Sequence, residues 1–429
     1  MERVIKHPLL KTDLNKKSID FFFNGEKLTG YQDEPVSSAL FANNIKVFSI
    51  HEVEDAPQGI FCANGQCSHC TLIIDGVPLK SCITPLKEGM DVRTLVHLPA
   101  LPESDEKFGN FELIEMKCDV LVIGGGPSGL TSAIELAKLG FEIILVDDKE
   151  KLGGKLLLQT HKFFGSIEDC YAGTRGIDIA DILEKEIRSY PNVKIFTNSS
   201  VVAVYKDKKA GLYINYKNYA IVDFEGMIIS AGAREKNLIF PGNDLPGVYG
   251  AGAFQTLVNR DLVKASGRVF IVGSGNVGLI AAYHALQAGI TAVGIAEILK
   301  EVSGYKVHGD KIKRMGVPIY LNHTILTAEG NGKVERVTIA EVDENFNPLL
   351  ETAKTFEVDT LLIAVGLSSI DEFYNTAVQF GFKVVKTGDA DEIAEASSAM
   401  FGGRIAGLKL AEMLGKKVNI DDEYFKKAE

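Results

Sequence analysis

At 429 residues the chain exceeds the ~250–300 residues that one hydrophobic core usually serves, so two or three domains are expected. A hydrophobic share of 46% with 24% charged residues describes a globular protein, and no apolar run approaches the ~20 residues of a membrane helix. The net charge of −11 argues against nucleic acid as a partner, and the charged opening "MERVIKHPLLKTDLNKKS" lacks the apolar core of an export signal.

Residues 1–98 read as a small β-rich domain. "SIDFFFNGEKLTG" is two strands around an Asn24-Gly25 turn, and "EPVSSALFANN" is a short helix beginning after Pro35. The stretch "GIFCANGQCSHCTLIIDGVPLKSC", Gly59 to Cys82, then holds four of the six cysteines in the chain. A disulfide framework belongs to short secreted proteins and does not suit this one. The spacing of Cys62, Cys67, Cys70 and Cys82 is C-x4-C-x2-C-x11-C, that of a plant-type [2Fe–2S] cluster, with a structural zinc site as the alternative. Short residues between the first cysteines let the loop curl and aim N–H groups at the sulfurs. His69 lies inside the loop, but four thiolates already complete a ligand set. "TLIIDGVPL" follows as a hairpin turning at Asp75-Gly76. Strands, one helix and the cluster loop together predict a β-grasp ferredoxin-like domain. Clustered thiols, with Cys118 and Cys170 isolated, suit a reducing cytoplasm.

Residues 99–116, polar and carrying two prolines in "HLPALPESDEKFGN" (His97 to Asn110), read as a linker. From 117 to 240 the pattern is that of a dinucleotide-binding domain. The apolar strand Val120 to Ile123 runs into Gly124, Gly126 and Gly129, spaced G-x-G-x-x-G, and a helix opens through Pro127 and Ser128. The next strand ends at Asp147, where an acid takes ribose hydroxyls, and Gly153-Gly154 offers a second contact to the same diphosphate. The strand in "MIISAGAREKNLIFPG" ends at Ala231-Gly232-Ala233 and crosses to a second lobe.

That lobe, 241–355, repeats the pattern. A strand leads to Gly273, Gly275 and Gly278 with Asn276 at the helix start, and the next strand ends at Glu297. The acid favours NAD over NADP; the alternatives are another adenine nucleotide or no ligand. "AEGNGKVERVTIAEVD" adds a hairpin turning at Asn331-Gly332. Residues 356–429 return to the first domain, where Gly388-Asp389 precedes a long helix. Asp389 is either a ligand for ribityl hydroxyls and the diphosphate region or a simple helix N-cap. The histidines, His51, His161, His284 and His308 among them, are scattered, and no residue stands out as a proton-abstracting base.

In this order, the motifs resemble flavoproteins with two dinucleotide-binding domains, an FAD domain split by an inserted NAD-type domain. With a [2Fe–2S] domain in front and "FPGNDLPGVYGAGAFQTLVN" at Phe240 to Asn259, the chain resembles the α-type subunits of heteromeric amine and amino-acid dehydrogenases. That group includes hydrogen cyanide synthase, D-hydroxyproline and L-proline dehydrogenase complexes, opine oxidases and sarcosine oxidase. The resemblance implies FAD on the first loop and at Ala231, Gly232, Gly388 and Asp389. It implies an electron-transfer subunit working with a flavin-dependent β-type partner that oxidises the substrate, and an external electron acceptor. It also implies a further flavin, FMN, at the subunit interface, for which the sequence points to no residues. A self-sufficient NADH-dependent reductase is the alternative. Two departures stand out: no C-terminal cysteine-rich domain precedes the end at Glu429, and Asp391 and Glu392 in "DADEIAE" place acids near the diphosphate region. Without a CxxC outside the cluster loop, disulfide-reductase chemistry is not expected.

Overall fold

The computed structural model describes residues 2–10, 16–99, 113–163, 166–215 and 217–418. The chain forms two compact units, one of Met1–Glu106 with Glu235–Gly366 and one of Lys107–Arg234 with Leu367–Glu429. Among the described residues no helix is long and apolar enough to cross a membrane.

The first unit joins the ferredoxin-like part to the inserted lobe. Ser18–Phe23 pairs antiparallel with Glu26–Tyr31 and parallel with Asp91–Val96, which also receives the hairpin Thr71–Ile74/Val77–Lys80. Both hairpins turn through two residues of positive φ, 50° and 84° at Asn24-Gly25 and 48° and 82° at Asp75-Gly76. Such primed turns match the twist of the strands they join, which is why Asn-Gly and Asp-Gly predict them. The helix Val36–Ala42 is buried along its whole length. In the lobe, Val248–Gly250, Thr360–Ile363, Arg268–Val272, Thr291–Glu297 and Ile319–Leu321 lie side by side in one parallel sheet. A three-stranded antiparallel sheet, His323–Glu329, Arg336–Glu341 and Lys354–Glu357, completes it.

The ferredoxin-like part and the lobe share one core, in which Phe41 meets Phe48 and Tyr249 edge-on. Polar contacts reinforce the join. Arg3 and Glu34 form a buried pair at 2.7 Å, Ser38 Oγ donates to Asp261 Oδ2 at 2.7 Å, and Gly250 N–H donates to Phe61 O at 3.0 Å. The last of these lands one residue before Cys62, so the stretch Phe240 to Asn259 seats the cysteine loop.

In the second unit the parallel sheet runs Val193–Phe196, Ile143–Val146, Val120–Ile123, Gly226–Ile229, Lys383–Lys386. Every residue of its three central strands is buried. Alternation sends Val120 and Val122 into one core and Leu121 and Ile123 into the other, as a sheet covered on both faces requires. The helices Pro127–Lys138 and Ala396–Met413 approach closely, because Gly403 and Gly407 lie against Ser128 and Ser132. Thr131 Oγ1 and Ser132 Oγ donate across to the carbonyls of Met400 and Gly403, each at 2.8 Å.

Three boundaries differ from the sequence-based expectation. The linker expected over 99–116 falls outside the described residues at 100–112, but Ile114–Lys117 is a strand paired parallel with Asn218–Asp223. The return to the first domain, expected at 356, occurs after Gly366, and the earlier crossing is at Arg234/Glu235 rather than after 240. The reason is pairing: the apolar run Thr360–Ile363 fills a central place in the lobe's sheet, with Val269 opposite Thr360.

Candidate functional site

The first glycine loop is built by close approach. Gly124 has φ +104°, and a Cβ there would collide with the carbonyl of Ser230. A Cβ on Gly129 would collide with the carbonyl of Gly124 and the hydroxyl of Ser230. Ser230, which sequence reading passed over, seals this contact by donating to Ile123 O at 2.9 Å and Gly124 O at 2.8 Å. Gly126 is different: nothing lies within 4 Å of where its Cβ would be. It is the N-cap of helix Pro127–Lys138, and no side chain caps that helix, so its first N–H groups stay available to an anion. Gly154, at φ +53°, comes within 3.0 Å of Gly126 Cα when given a Cβ, which places Gly153-Gly154 on the rim of the same cradle. Gly232, at φ +73°, also faces open space, just after Ala231.

Asp147 is 8% exposed and accepts N–H bonds from Gly125 at 2.6 Å and Lys149 at 2.8 Å. Burial, assisted by the charge of Asp148, pushes its pKa up to about 6. Gly388, at φ +62°, lies against Ser128 at the helix start, which brings Asp389 to the same end of the sheet. The N-cap reading of Asp389 does not hold: the following helix starts at Ala396 with Glu395 as its N-cap, and Asp389 sits in the one-turn Gly388–Ala390 helix. Burial raises its pKa, and the charge of Lys155 partly offsets this, so Lys155 joins the residues around the cradle. Thr387, buried beside Gly388, has a hydroxyl without a hydrogen-bond partner. Asp391, whose charge threatened the diphosphate region, is drawn to Lys386 Nζ at 3.6 Å. An open helix N-terminus, a glycine without a steric neighbour and a buried acid fit the diphosphate and ribose of FAD.

The cysteine loop brings its four thiols together. Cys62, Cys70 and Cys82 are buried and Cys67 is half-buried. Cys62 is in hydrogen-bonding contact with Cys67 and Cys82, and Cys82 with Cys70. These contacts lower the pKa of Cys62 and raise those of Cys67 and Cys82, while Cys70 is brought down to about 7. Ala63 (φ 47°) and Gly65 (φ 76°) curl the loop, so that Asn64 N–H reaches Cys62 Sγ at 3.4 Å and Gly65 N–H reaches Cys82 Sγ at 3.2 Å. Lys80 Nζ holds the curl through Gly65 O at 2.8 Å. Four packed sulfurs cannot all ionise without positive charge between them. Among the described residues no three His, Cys, Asp or Glu side chains converge to hold a single metal ion. Sulfurs in contacting pairs with N–H donors behind them fit a two-iron cluster. His69 lies near enough to feel the charge of Cys62 and Asp244, and burial lowers its pKa.

The second loop repeats the frame. Gly273, at φ +102°, abuts the Ala364 carbonyl, Gly278 abuts that of Gly273, and Gly275 is the N-cap of helix Asn276–Gln287. Glu297 is 5% exposed and turned toward Ser274.

Residues 118–392 match the pyridine nucleotide-disulphide oxidoreductase family, and residues 16–97 match the 2Fe-2S iron-sulfur cluster binding domain. The chain belongs to the pyridine nucleotide-disulphide oxidoreductase family. This oxidoreductase family brings FAD, and the second match brings a [2Fe–2S] cluster, which settles the choice against zinc. Hydrogen cyanide synthase subunit HcnB of Pseudomonas aeruginosa is 24% identical over 68% of this chain and 70% of its own length. Sarcosine oxidase subunit alpha of Corynebacterium sp. (strain U-96) is 21% identical over 81% of this chain, which spans 37% of that protein. In structure, L-proline dehydrogenase from P. horikoshii matches 98% of this chain and 78% of its own, with a TM-score of 0.71 and 21% identity. The chain is thus a flavin and iron–sulfur oxidoreductase, the flavin part from the family match and the cluster from the domain in front of it.

Proposed function

We propose that the chain is the electron-transfer subunit of a heteromeric amino-acid or secondary-amine dehydrogenase. A β-type partner subunit with its own flavin oxidises the substrate, and this chain passes the electrons on to an external acceptor. The observation that carries the reading is the pairing of an FAD-type cradle with a four-thiol loop in one chain whose relatives are named as subunits. FAD, when bound, takes two electrons together and releases them singly, while the cluster carries one at a time.

The chain's own residues supply placement and tuning. The open N-terminus of Pro127–Lys138 would hold the diphosphate, Asp147 the ribose, and Asp389 with Thr387 the neighbouring hydroxyls. Asn64 and Gly65 N–H groups would stabilise negative charge on the cluster sulfurs, and burial of Cys70 and Cys82 keeps water from them. An FMN at the subunit interface and a cytoplasmic setting complete the proposal. The second reading, a self-sufficient NADH-dependent reductase, draws on the intact loop from Gly273 to Gly278 and on Glu297.

The test is to purify the tagged chain from its own cells and mix what co-purifies with candidate amino acids and secondary amines under anaerobic conditions. The complex should reduce the cluster, read by electron paramagnetic resonance, whereas the isolated chain should not respond to any of them. Reduction of the isolated chain by an amine would end the partner reading. Cys82→Ser should remove the cluster signal and leave the flavin spectrum in place.

A further inference from the structure

The acids that close the two glycine loops can be compared donor for donor. A carboxylate offers about four lone-pair positions, two on each oxygen. Asp147 fills one on each, with Gly125 N–H on Oδ2 at 2.6 Å and Lys149 N–H on Oδ1 at 2.8 Å. One position is left on each oxygen, which suits the two adjacent hydroxyls of a ribose. Glu297 begins in the same way, with Ser274 N–H on Oε2 at 3.0 Å and Leu299 N–H on Oε1 at 3.1 Å. It then takes two hydroxyls, Ser274 Oγ at 2.6 Å and Ser303 Oγ at 2.7 Å, both on Oε2. Three donors crowd the two lone-pair positions of Oε2, leaving none there for a guest, and a single position remains on Oε1.

The two serines stand where the first loop has residues that donate nothing from their side chains. Gly153 N–H binds Gly125 O at 2.8 Å, and Gly304 N–H binds Ser274 O at 2.9 Å. Ser274 therefore corresponds to Gly125, and Ser303 to Leu152, which packs its buried apolar chain against Gly125. Ser303 N–H also donates to Ser274 Oγ at 3.1 Å, which ties the two serines to each other as well as to the acid. At the helix start the same substitution recurs: Asn276 Oδ1 accepts Tyr305 N–H at 2.8 Å, where the first loop has Pro127 and Gly154. The acids respond accordingly. Burial raises Asp147, whereas at Glu297 burial is outweighed by the serine hydroxyls and the pKa falls.

We propose that Ser274 and Ser303 determine the specificity of the second lobe: their hydroxyls take the Oε2 side of Glu297, where one hydroxyl of a ribose diol would bind, and leave a place for only one of the two, so the lobe rejects NAD+ and NADH. This deepens the electron-transfer reading, on which it rests for its meaning, by removing NADH as a source of electrons.

The test measures binding rather than electron flow, so it fails separately from that reading. NAD+, which cannot reduce the flavin, is titrated calorimetrically into the full chain loaded with FAD and cluster. The natural chain should show no saturation up to about 1 mM NAD+. The variant carrying Ser274→Gly and Ser303→Ala should bind about tenfold more tightly or better, and adding Glu297→Gln should remove the gain. Saturable micromolar binding by the natural chain overturns the inference. So does a double variant with normal melting and FAD content that binds no better than the natural chain. If the double variant does not fold, Ser303→Ala alone is read by the same two outcomes.

Discussion

The two glycine loops share a frame and differ in what the frame is left free to bind. In both, the first glycine abuts a neighbouring strand's carbonyl, at Ser230 in one and Ala364 in the other, and the third abuts the carbonyl of the first. In both, the acid accepts the N–H of the residue after the first glycine and the N–H two residues beyond itself. Glycine spacing therefore dictates the turn, because only glycine permits these approaches. The ligand depends on four other positions. Gly125, Pro127, Leu152 and Gly154 leave the cradle's polar groups to a guest, whereas Ser274, Asn276, Ser303 and Tyr305 satisfy them from within.

The comparison is broken most severely at the shared glycines. Gly124→Ala and Gly273→Ala each force a Cβ into a backbone carbonyl at positive φ, and each should destabilise its unit by about 3 kcal/mol in chemical denaturation. Only Gly124→Ala should also abolish FAD retention, measured as flavin per protein after gel filtration. Equal loss of flavin from both variants would show that the loops are not independent.

The acids should separate under pH. With its folded pKa raised to about 6, Asp147 favours the FAD-free fold only while protonated. That contribution is complete below about pH 4 and lost as pH rises through 6, a loss of roughly 2–3 kcal/mol. Glu297 has a lowered pKa, so its contribution is present above the usual carboxylate range and lost as pH falls through the folded value. Denaturation of the FAD-free chain across pH 3–8 should show both slopes. Asp147→Asn should flatten the one between about pH 4 and 6, and Glu297→Gln the acidic one. A variant that leaves its slope unchanged would remove that acid from the account.

The smallest effect on stability is expected at Gly126. Nothing lies within 4 Å of its missing Cβ, so Gly126→Ala should change stability by less than about 0.5 kcal/mol while weakening FAD binding severalfold. A large loss of stability would mean that the residue is structural and not kept small for a ligand.

Local signals were legible to the extent that their physics is local. Asn24-Gly25 and Asp75-Gly76 specify primed turns within four residues, and C-x4-C-x2-C places three sulfurs on one curled loop. The features that were missed depend on partners distant in sequence. Ser230 acts on Gly124 from 106 residues away, and nothing beside it marks that role. The strand Thr360–Ile363 belongs to the inserted lobe because it pairs with Arg268–Val272, a choice that its apolar composition leaves open. Asp389 also admits an N-cap reading, beside the favoured one as a flavin ligand, until the helix is seen to begin at Ala396.

By itself, the amino-acid sequence located the four-cysteine loop, both glycine turns and the order of the two matched domains, because spacing and backbone permissiveness act over a few residues. Tertiary structure decided where the chain crosses between units, which segment seats the cysteine loop and which acid is already satisfied. Those outcomes depend on contacts between segments far apart in the chain, such as Gly250 N–H on Phe61 O and Ser38 Oγ on Asp261, which lie 223 residues apart, and only the fold brings such segments together.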